Sequence, residues 1–493
     1  MASSVASGDV RPTKRRGWVL LSLGALFVFA SFGPLMNPVT PWFAVVFYLR
    51  YLRHRSLKKG LLPAYLSFCI GFIGSSFLLM LPLGPIAIPV LLPDSIGMFL
   101  PLIIAHLGMT RGRGIRATLV LPCAAVAVES LFFLLLDFSS TWSYSQFGVF
   151  PLMQTASLTG MAGITFIVMW TASVIEYLVE QRFAQEAVRH VLPVFGAILA
   201  AVLIFGTVRL LTSDRTVREQ AVEVAMISND TSYLKRLPVL ASSFERARDD
   251  GRADQKQMLE KTERAATQGA KIIVWPEYAA YVTETDTPVL IKKVAGITKK
   301  FGIYVATAFG GIAPSSPIPI SNRLMWIGPE GTVLDDHHKY RTVPGLEPPA
   351  HAPKITPIDT PYGKAAGVIC ADADVPHILK RAGEAGISIL AVPTQDWKET
   401  RHFHYRFLPF RAVENGFVVL RAAGDGISAA FDPLGRPIAA QDWFDTEDHI
   451  LYSTVPVAPL KTFYPGAGYL FPLICLLGLV LLLVRRAAPS ARR

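Results

Sequence analysis

The chain alternates between long apolar segments and one long polar segment. Apolar residues dominate from residue 17 to residue 212 and again from 464 to 484, whereas residues 213–462 mix polar and apolar positions. A helix needs about 20 apolar residues to cross a bilayer, so the pattern predicts eight membrane spans. Seven are expected at residues 17–34, 38–52, 62–82, 86–108, 115–137, 158–179 and 190–212, and the last at 463–485.

The charges in the short loops predict the orientation of these spans, because lysine and arginine are retained on the cytoplasmic side. They cluster at every second connection, while the connections around 35–37, 83–85 and 138–157 contain neither residue. The basic clusters fall at residues 14–16, 50–59, 111–116, 182–189 and 485–493. We therefore expect cytoplasmic tails at 1–16 and 486–493, a membrane domain at 17–212 and an extracytoplasmic domain at 213–462.

The outer segment has the pattern of an α/β domain. Short β-branched runs such as Val222–Ile227, Lys271–Trp275 and Ile303–Ala308 alternate with amphipathic stretches such as 242–269 and 288–301. The second part of the segment repeats the pattern: runs are expected at 324–327, 332–334, 366–370, 387–392 and 417–421, with helices at 375–386 and 404–415. This order predicts mixed sheets covered by helices.

Composition narrows the class of protein. The chain is 51% apolar and only 17% charged, which excludes a disordered, collagenous or purely soluble protein. Four cysteines in 493 residues exclude a disulfide-stapled secreted module. The net charge of +11 is explained by the loop charges that orient the spans, so no nucleic acid partner is expected.

Cys370 is the most informative residue for chemistry. Cys69, Cys123 and Cys475 lie in predicted membrane helices, where a cysteine is ordinarily a small buried side chain. Cys370 is the single cysteine of the outer segment, so it has no partner there for a disulfide. It closes a predicted strand and is followed by a polar turn, where a nucleophile can be presented.

Glu277 and Lys339 stand at comparable positions. Glu277 follows the run Ile272–Val274, and Lys339 follows the first predicted hairpin. A carboxylate, an ammonium and a thiol at the ends of separate strands of one domain can converge. Glu277 is then a candidate general base for the thiol. Taken singly, Glu277 and Lys339 would more often be solvated surface charges.

These motifs resemble those of the carbon-nitrogen hydrolase, or nitrilase, superfamily. The residues that carry the resemblance are Trp275-Pro276-Glu277, the segment around Lys339, and Val368-Ile369-Cys370. The eight spans around such a domain resemble the apolipoprotein N-acyltransferase family in particular. Further matching segments are Ser143–Gln146, Pro151–Gln154, Leu158–Gly160, Lys339 with Val343-Pro344 and Glu347, Leu420–Ala422 and Gly426–Ser428.

The resemblance implies a fold and an activity. It implies an α-β-β-α sandwich and phospholipid-dependent N-acylation of the amino-terminal diacylglyceryl-cysteine of apolipoproteins, in the bacterial inner membrane. The partners implied are a phospholipid acyl donor, a diacylated apolipoprotein acceptor and membrane lipid, with no cofactor and no metal. Acyl transfer would be ping-pong, through a thioester on Cys370.

The resemblance also assigns roles to residues. Glu277, Lys339 and Cys370 would form a catalytic triad, in which Glu277 takes the thiol proton and Lys339 stabilises the oxyanion together with the backbone N–H of Ala371. Glu347, Ala371 and Asp372 are expected to support the triad.

The sequence departs from the family at three places, and one of them is the loop Thr394-Gln395-Asp396-Trp397, which is only partly like the family's. Ala371 and Asp372 stand where the family has an aromatic residue and a glutamate, so the supporting carboxylate is one methylene shorter. Ile227-Ser228-Asn229 replaces Gln-Gly-Asn.

Two other functions stay open from the sequence: a membrane-tethered nitrilase-type amidase or acyltransferase with another acceptor, and a non-catalytic membrane binding protein or transporter. The aromatic residues Trp142, Tyr144, Phe147 and Phe150 are expected either to line the approach to the site or to form an interfacial belt. His337-His338 and the pair His402 and His404 do not have metal-ligand spacing.

Overall fold

The computed structural model describes residues 14–109, 114–137, 140–218, 220–343, 345–349 and 352–484. Most of the predicted N-terminal tail, the tail at 486–493, Arg111, Arg113 and Pro344 lie outside these residues. The described part divides into an N-terminal helical half and a C-terminal α/β half, followed by a final apolar helix.

The N-terminal half is built from apolar helices. They are α1 (Lys14–Phe29), α2 (Pro41–Arg53), α3 (Leu57–Leu79), α4 (Ala87–Met109), α5 (Ile115–Thr118), α6 (Val120–Leu136), α7 (Phe150–Met153), α8 (Ala156–Thr159), α9 (Met161–Glu180) and α10 (Gln185–Arg218). Five stretches of the described chain are long and apolar enough to cross a membrane: Leu57–Leu79, Leu81–Gly108, Ile115–Leu136, Met161–Glu180 and Gln185–Ser213.

The remaining predicted spans form shorter apolar helices within the described residues. Helices α1 and α2 have 16 and 13 residues there, and the last apolar helix, Leu470–Val484, has 15. Helix α10 continues to Arg218, beyond the boundary expected at residue 212.

The described C-terminal half contains a seven-stranded sheet and a six-stranded sheet. The strands are β1 (Ala221–Ile227), β2 (Ile272–Val274), β3 (Tyr281–Thr283), β4 (Tyr304–Ala313), β5 (Ser316–Ile327), β6 (Val333–His338), β7 (Ile358–Thr360), β8 (Gly363–Gly367), β9 (Ile389–Gln395), β10 (Val418–Gly424), β11 (Ile427–Phe431), β12 (Pro437–Asp442) and β13 (Ile450–Pro456). The first sheet has the order β13-β1-β2-β4-β5-β6, with β3 beside β4, and the second has the order β12-β11-β10-β9-β8-β7.

Helices cover the outer face of each sheet. They are α11 (Tyr233–Ser242), α12 (Phe244–Thr267), α13 (Thr287–Phe301), α14 (Pro376–Glu384), α15 (Arg401–Tyr405) and α16 (Leu408–Asn415), followed by α17 (Tyr464–Ala467) and α18 (Leu470–Val484). Sequence patterning predicts a single helix at 404–415. The chain instead forms α15 and α16, with Pro409 in the first turn of α16, where a proline is well tolerated.

The strands alternate between two apolar cores, as period-two side chains require. Val222, Val224 and Met226 of β1 face the core between the two sheets, whereas Ala225 and Ile227 face the core beneath helices α12 and α13. A third core lies between the second sheet and helices α14 and α16. The C-terminal half is therefore an α-β-β-α sandwich with a nitrilase-like arrangement of layers.

The two halves share a continuous contact surface. The ring of Tyr144 stacks on Phe407 at a centroid distance of 3.7 Å, and Trp142 is also buried. The Met161 N–H donates to the Glu414 carboxylate at 2.9 Å. The predicted 138–157 connection thus folds into short helical turns that pack on the sandwich, so Trp142 and Tyr144 belong to neither an exposed belt nor an open approach.

Candidate active site

Glu277 is presented at the end of a buried strand. Strand β2 is buried on both faces, and the chain then turns through Trp275 and Pro276 to place Glu277 inside the protein, 1% exposed. The Trp275 indole N–H donates to the Thr262 hydroxyl at 2.9 Å, which anchors this turn to helix α12. Glu277 therefore has a fixed position.

Lys339 lies between two carboxylates. Its Nζ donates to Glu277 Oε1 at 2.8 Å and to Glu347 Oε1 at 3.1 Å, and all three side chains are buried. Burial alone would lower the pKa of Lys339, but the negative charges of Glu277 and Glu347 raise it above its usual value. The lysine is consequently a permanent buried cation.

Glu347 accepts further hydrogen bonds beside this cation. Asn322 Nδ2 lies 2.7 Å from both Glu277 Oε1 and Glu347 Oε1, so one amide bridges the two carboxylates. The Tyr278 hydroxyl and the Val343 N–H also donate to Glu347. Burial and the charges of Glu277 and Glu347 raise the pKa of Tyr278 well above its usual value, which keeps its phenol a donor.

Cys370 follows strand β8 after two residues and begins a short helical turn, Cys370–Asp374. Its φ of +49° is a left-handed conformation that a residue with a Cβ seldom adopts. Its Sγ lies 3.9 Å from the Gln395 carbonyl oxygen, and the Gln395 N–H donates to Glu277 Oε2 at 2.8 Å. The end of strand β9 thus joins the thiol to the carboxylate.

The electrostatic surroundings keep the thiol protonated at rest. Burial and then the negative charge of Glu277 raise the pKa of Cys370 well above its usual value, although Lys339 acts in the opposite direction. Since the thiolate is the nucleophilic form, this cysteine needs a base at the moment of attack. Glu277, which is joined to the thiol through Gln395, stays the predicted base.

Asp372 holds the turn that carries the thiol. Its carboxylate accepts from the backbone N–H groups of Ile369, Tyr340 and Arg341 at 3.2, 3.1 and 2.7 Å, and lies 3.0 Å from His337 Nε2. The aspartate therefore joins the nucleophile turn to the segment of Lys339. Ala371 is half-buried beside the thiol, and the oxyanion role of its N–H stays a prediction.

A second buried charged cluster borders the site. Asp396 accepts from Arg421 Nη2 at 2.6 Å and lies 2.8 Å from His404 Nδ1, while His404 Nε2 lies 3.7 Å from Asp374. Burial favours the neutral form of each group, yet the charges of Arg421 and His404 hold the pKa of Asp396 below its usual range. Asp396 and Asp374 in turn raise the pKa of His404 to about 9, against the effect of burial.

Tyr278, Asn322 and Gln395 were not predicted as site residues from the sequence. Tyr278 directly follows Glu277, and Gln395 comes three residues after the strand predicted at 387–392, so proximity to a strand end was an available signal for both. No local signal indicated Asn322. This residue reaches the site because β5 pairs with β6, and the Asn322 carbonyl oxygen accepts a hydrogen bond from the Lys339 N–H at 3.0 Å. His337 and His404 each pair with an aspartate.

Two family models match consecutive parts of the chain. Residues 24–174 match the N-terminal domain of apolipoprotein N-acyltransferase, and residues 249–462 match carbon-nitrogen hydrolase. The first match lies in the helical half, and the second contains Glu277, Lys339 and Cys370.

Several relatives named apolipoprotein N-acyltransferase match most of the chain. An apolipoprotein N-acyltransferase of Geobacter metallireducens is 24% identical over 409 residues, covering 77% of this chain and 76% of the relative. That of Agrobacterium fabrum is 24% identical over 437 residues, covering 78% and 79%. That of Bradyrhizobium diazoefficiens is 25% identical over 391 residues, covering 68% and 67%.

Solved structures resemble the C-terminal half. An amidase from Nesterenkonia sp. has a TM-score of 0.40 and 19% identity, covering 49% of this chain and 91% of the amidase. Nit3 of Saccharomyces cerevisiae, from the nitrilase superfamily, has a TM-score of 0.39 and 20% identity, covering 48% and 90%.

Proposed function

We propose that the chain is a member of the apolipoprotein N-acyltransferase family and that it transfers an acyl chain from a phospholipid to the amino-terminal diacylglyceryl-cysteine of apolipoproteins. The observation that carries the proposal is the buried bridge of Lys339 between Glu277 and Glu347, beside the thiol of Cys370. This arrangement supplies a base, a fixed cation and a nucleophile in one site that packs against a membrane half.

The first half of the reaction loads the enzyme. Glu277 accepts the proton of the Cys370 thiol as sulfur forms a bond to an ester carbonyl carbon of the phospholipid. Lys339 stabilises the oxyanion, assisted by the Ala371 N–H. The carbon–oxygen ester bond then breaks, and protonated Glu277 returns its proton to the departing glycerol oxygen. The products are a lysophospholipid and a thioester on Cys370.

The second half of the reaction transfers the acyl chain from Cys370 to the acceptor. The amino group of the acceptor cysteine attacks the thioester carbonyl, and Glu277 accepts a proton from that nitrogen. The carbon–sulfur bond breaks, the amide leaves, and the sulfur recovers a proton from Glu277. A thioester suits this step because it yields to an amine much more readily than the starting ester does.

The charges of the cluster suit a reaction of this kind. Two carboxylates and one ammonium give a net charge of −1, and the thiol is neutral. When Glu277 takes the proton, the new negative charge moves to the sulfur and then to the oxyanion, so the net charge of the site does not change. The site avoids creating additional buried charge, which would be costly in a desolvated interior.

The membrane half suits substrates that cannot leave the lipid. Moving an acyl chain into water costs roughly 0.8 kcal/mol per CH₂, so both substrates must reach the site from the bilayer. Eight helices cross the membrane in this proposal, with the C-terminal half outside the cytoplasm. The alternation of basic and uncharged loops supports this orientation.

Mass spectrometry of the intact protein tests the chemistry. Incubation with phospholipid should add one acyl chain to Cys370, and a diacylated lipopeptide should then remove it as an amide. An adduct on Cys69, Cys123 or Cys475 would refute the assignment of the nucleophile. Release of the acyl chain as free acid, with the lipopeptide unchanged, would favour a hydrolase.

A reporter fusion tests the topology. A reporter that is active only outside the cytoplasm, fused after residue 300 in the exposed end of α13, should be active. The proposed orientation is wrong if only a cytoplasmic reporter is active there.

A further inference from the structure

A basic groove lies where the two halves meet, outside the triad. Lys398, Arg401 and Arg406 line it from the C-terminal half, and Pro34, Leu79 and Leu81 line it from the membrane half. Its volume is about 370 Å³, within the range of about 300–1,000 Å³ that is common for small-molecule sites.

The cations of this groove are incompletely neutralised. Arg401 pairs with Asp442 at 2.7 Å, but Arg406 donates to the Met36 carbonyl oxygen at 2.7 Å, and Lys398 is exposed. Within the ranges that the structure describes, neither Lys398 nor Arg406 forms an ion pair with a carboxylate. Two cationic groups are therefore available to an anion.

The opposite wall of the groove is suited to lipid. Leu78, beside Leu79 at the end of α3, and Leu81 in the following turn are exposed apolar side chains, 36% and 47% accessible. On the basic side, the exposed ring of Phe444 lies 5.7 Å from Lys398 Nζ and 5.2 Å from Arg401 Cζ. Cations and an aromatic ring beside exposed leucines are typical of the boundary between lipid headgroups and acyl chains.

The groove is coupled to the nucleophile by a short segment of chain. Gln395, which contacts Cys370 and Glu277, precedes Lys398 by three residues, and three Cα–Cα steps span at most about 11 Å. The Trp397 indole N–H donates to the Leu79 carbonyl oxygen at 2.6 Å and fixes this segment against the membrane half. A phospholipid whose headgroup is bound in the groove would thus have its ester bonds close to Cys370.

We propose that the basic groove binds the phosphate of the phospholipid that donates the acyl chain, with Lys398 and Arg406 as the recognising cations. The assignment rests on the proposed function, since it names how that function selects its donor. Glu399 also borders the groove, and its carboxylate opposes an anion. Removing the charge of Lys398 or Arg406 should therefore weaken phosphate binding, whereas removing the charge of Glu399 should strengthen it.

Binding to the Cys370→Ala protein tests this without any acyl transfer. The probes are fluorescent phosphatidylglycerol and fluorescent diacylglycerol with the same acyl chains, each in detergent micelles. Arg406→Gln should weaken phosphatidylglycerol binding about tenfold, the loss expected for one charge-assisted hydrogen bond. Lys398→Gln should weaken it about threefold, and Glu399→Gln should strengthen it by a similar factor. Diacylglycerol binding should not respond.

Two controls separate the outcomes. Lys292→Gln removes an exposed charge from α13 and should change neither affinity. Arg406→Gln also removes the hydrogen bond to Met36. The exposed Lys398 and the half-buried Glu399 therefore provide the decisive test, because misfolding would not change affinity in opposite directions. Equal changes for both lipids, or none for phosphatidylglycerol, would overturn the groove assignment. Failure of the proposed function is distinguishable, because it appears as the absence of an acyl adduct on wild-type Cys370.

Discussion

Two buried charged clusters lie near Cys370, and they differ in how their charges are matched. In the first, Glu277 and Glu347 share the single ammonium of Lys339. In the second, Asp396 lies between two cations, Arg421 and His404. The first has a carboxylate to spare for a proton, whereas the second has every charge neutralised by a close partner.

The backbone shows the same difference. Cys370 has a φ of +49°, and Tyr278, which directly follows Glu277, has a φ of +51°. Asp396, His404 and Arg421 do not have a positive φ. Strain at a few residues is commonly retained where function requires a particular geometry. The comparison suggests that the first cluster is arranged for chemistry and the second for holding the loops around it.

Removing the proton acceptor should have the largest effect. Glu277→Gln keeps the shape of the side chain but cannot take the Cys370 proton, so acyl transfer should fall about 10³- to 10⁴-fold. No thioester should accumulate in an intact-mass measurement after incubation with phospholipid. Glu260→Gln, on the exposed face of α12, should form the adduct normally. Acylation of Glu277→Gln at the wild-type rate would contradict the role of base.

Removing the buried cation should have the next largest effect. Lys339→Ala should slow both acylation and release about 10²- to 10³-fold, because both steps pass through a tetrahedral oxyanion. Lys339→Arg should restore little, since a planar guanidinium is a poor replacement for a compact ammonium between Glu277 and Glu347. Pre-steady-state kinetics of the two steps measure this. An effect confined to one step would contradict a shared oxyanion partner.

The second cluster should reveal itself in stability rather than in rate. The folded protein raises the pKa of His404 to about 9, above the ordinary value of about 6.5 in an unfolded chain. Its contribution, about 3 kcal/mol, is therefore fully present below about pH 6.5 and is lost as pH rises through about 9. The difference in Tm between wild type and His404→Gln should narrow from pH 6 to pH 10.

An exposed charge far from the cluster provides the control for this measurement. Lys292→Gln, on the exposed face of α13, should leave the pH dependence of Tm as it is in the wild type. A His404→Gln protein whose Tm differs from that of the wild type by the same amount at both pH values would show that the charge of His404 does not stabilise the fold.

Glu347 should show a smaller effect than its neighbours in the first cluster. Glu347→Gln keeps the side chain available to Tyr278 and the Val343 N–H but removes one negative charge beside Lys339. Losing charge assistance in these hydrogen bonds should slow transfer about tenfold, while the acyl adduct on Cys370 still forms. Intact-mass time courses with and without lipopeptide test this, and a complete absence of adduct would instead make Glu347 a candidate base.

Much of the first cluster could be predicted from the sequence, and much of the second could not. Glu277 and Cys370 follow short, continuous apolar runs, which predict buried strands that end just before them. Asp396 lies in the loop after β9, His404 lies in α15 and Arg421 lies in β10, and their meeting depends on the pairing of the whole second sheet. No local sequence pattern predicts that pairing, and a single charged residue is ordinarily predicted to lie on the solvated surface.

The same limit applies to the fold. Strands such as β1 and helices such as α12 follow from local periodicity. The pairing of β1 with β13 joins residues 221–227 to residues 450–456, and the helical turns of 142–159 form because they pack on the sandwich. Both depend on contacts between distant segments, which amphipathic patterning does not describe.

The strain at Cys370 predicts the smallest effect. An L-residue in a left-handed conformation costs about 1–2 kcal/mol, whereas glycine adopts it freely but loses more entropy on folding. Cys370→Gly should therefore be about 1 kcal/mol more stable than Cys370→Ala in thermal unfolding in detergent. At Ala373, in the same turn but without a positive φ, glycine should destabilise instead. If Cys370→Gly is no more stable than Cys370→Ala, the nucleophile turn stores no strain, and the backbone difference between the two clusters has no energetic meaning.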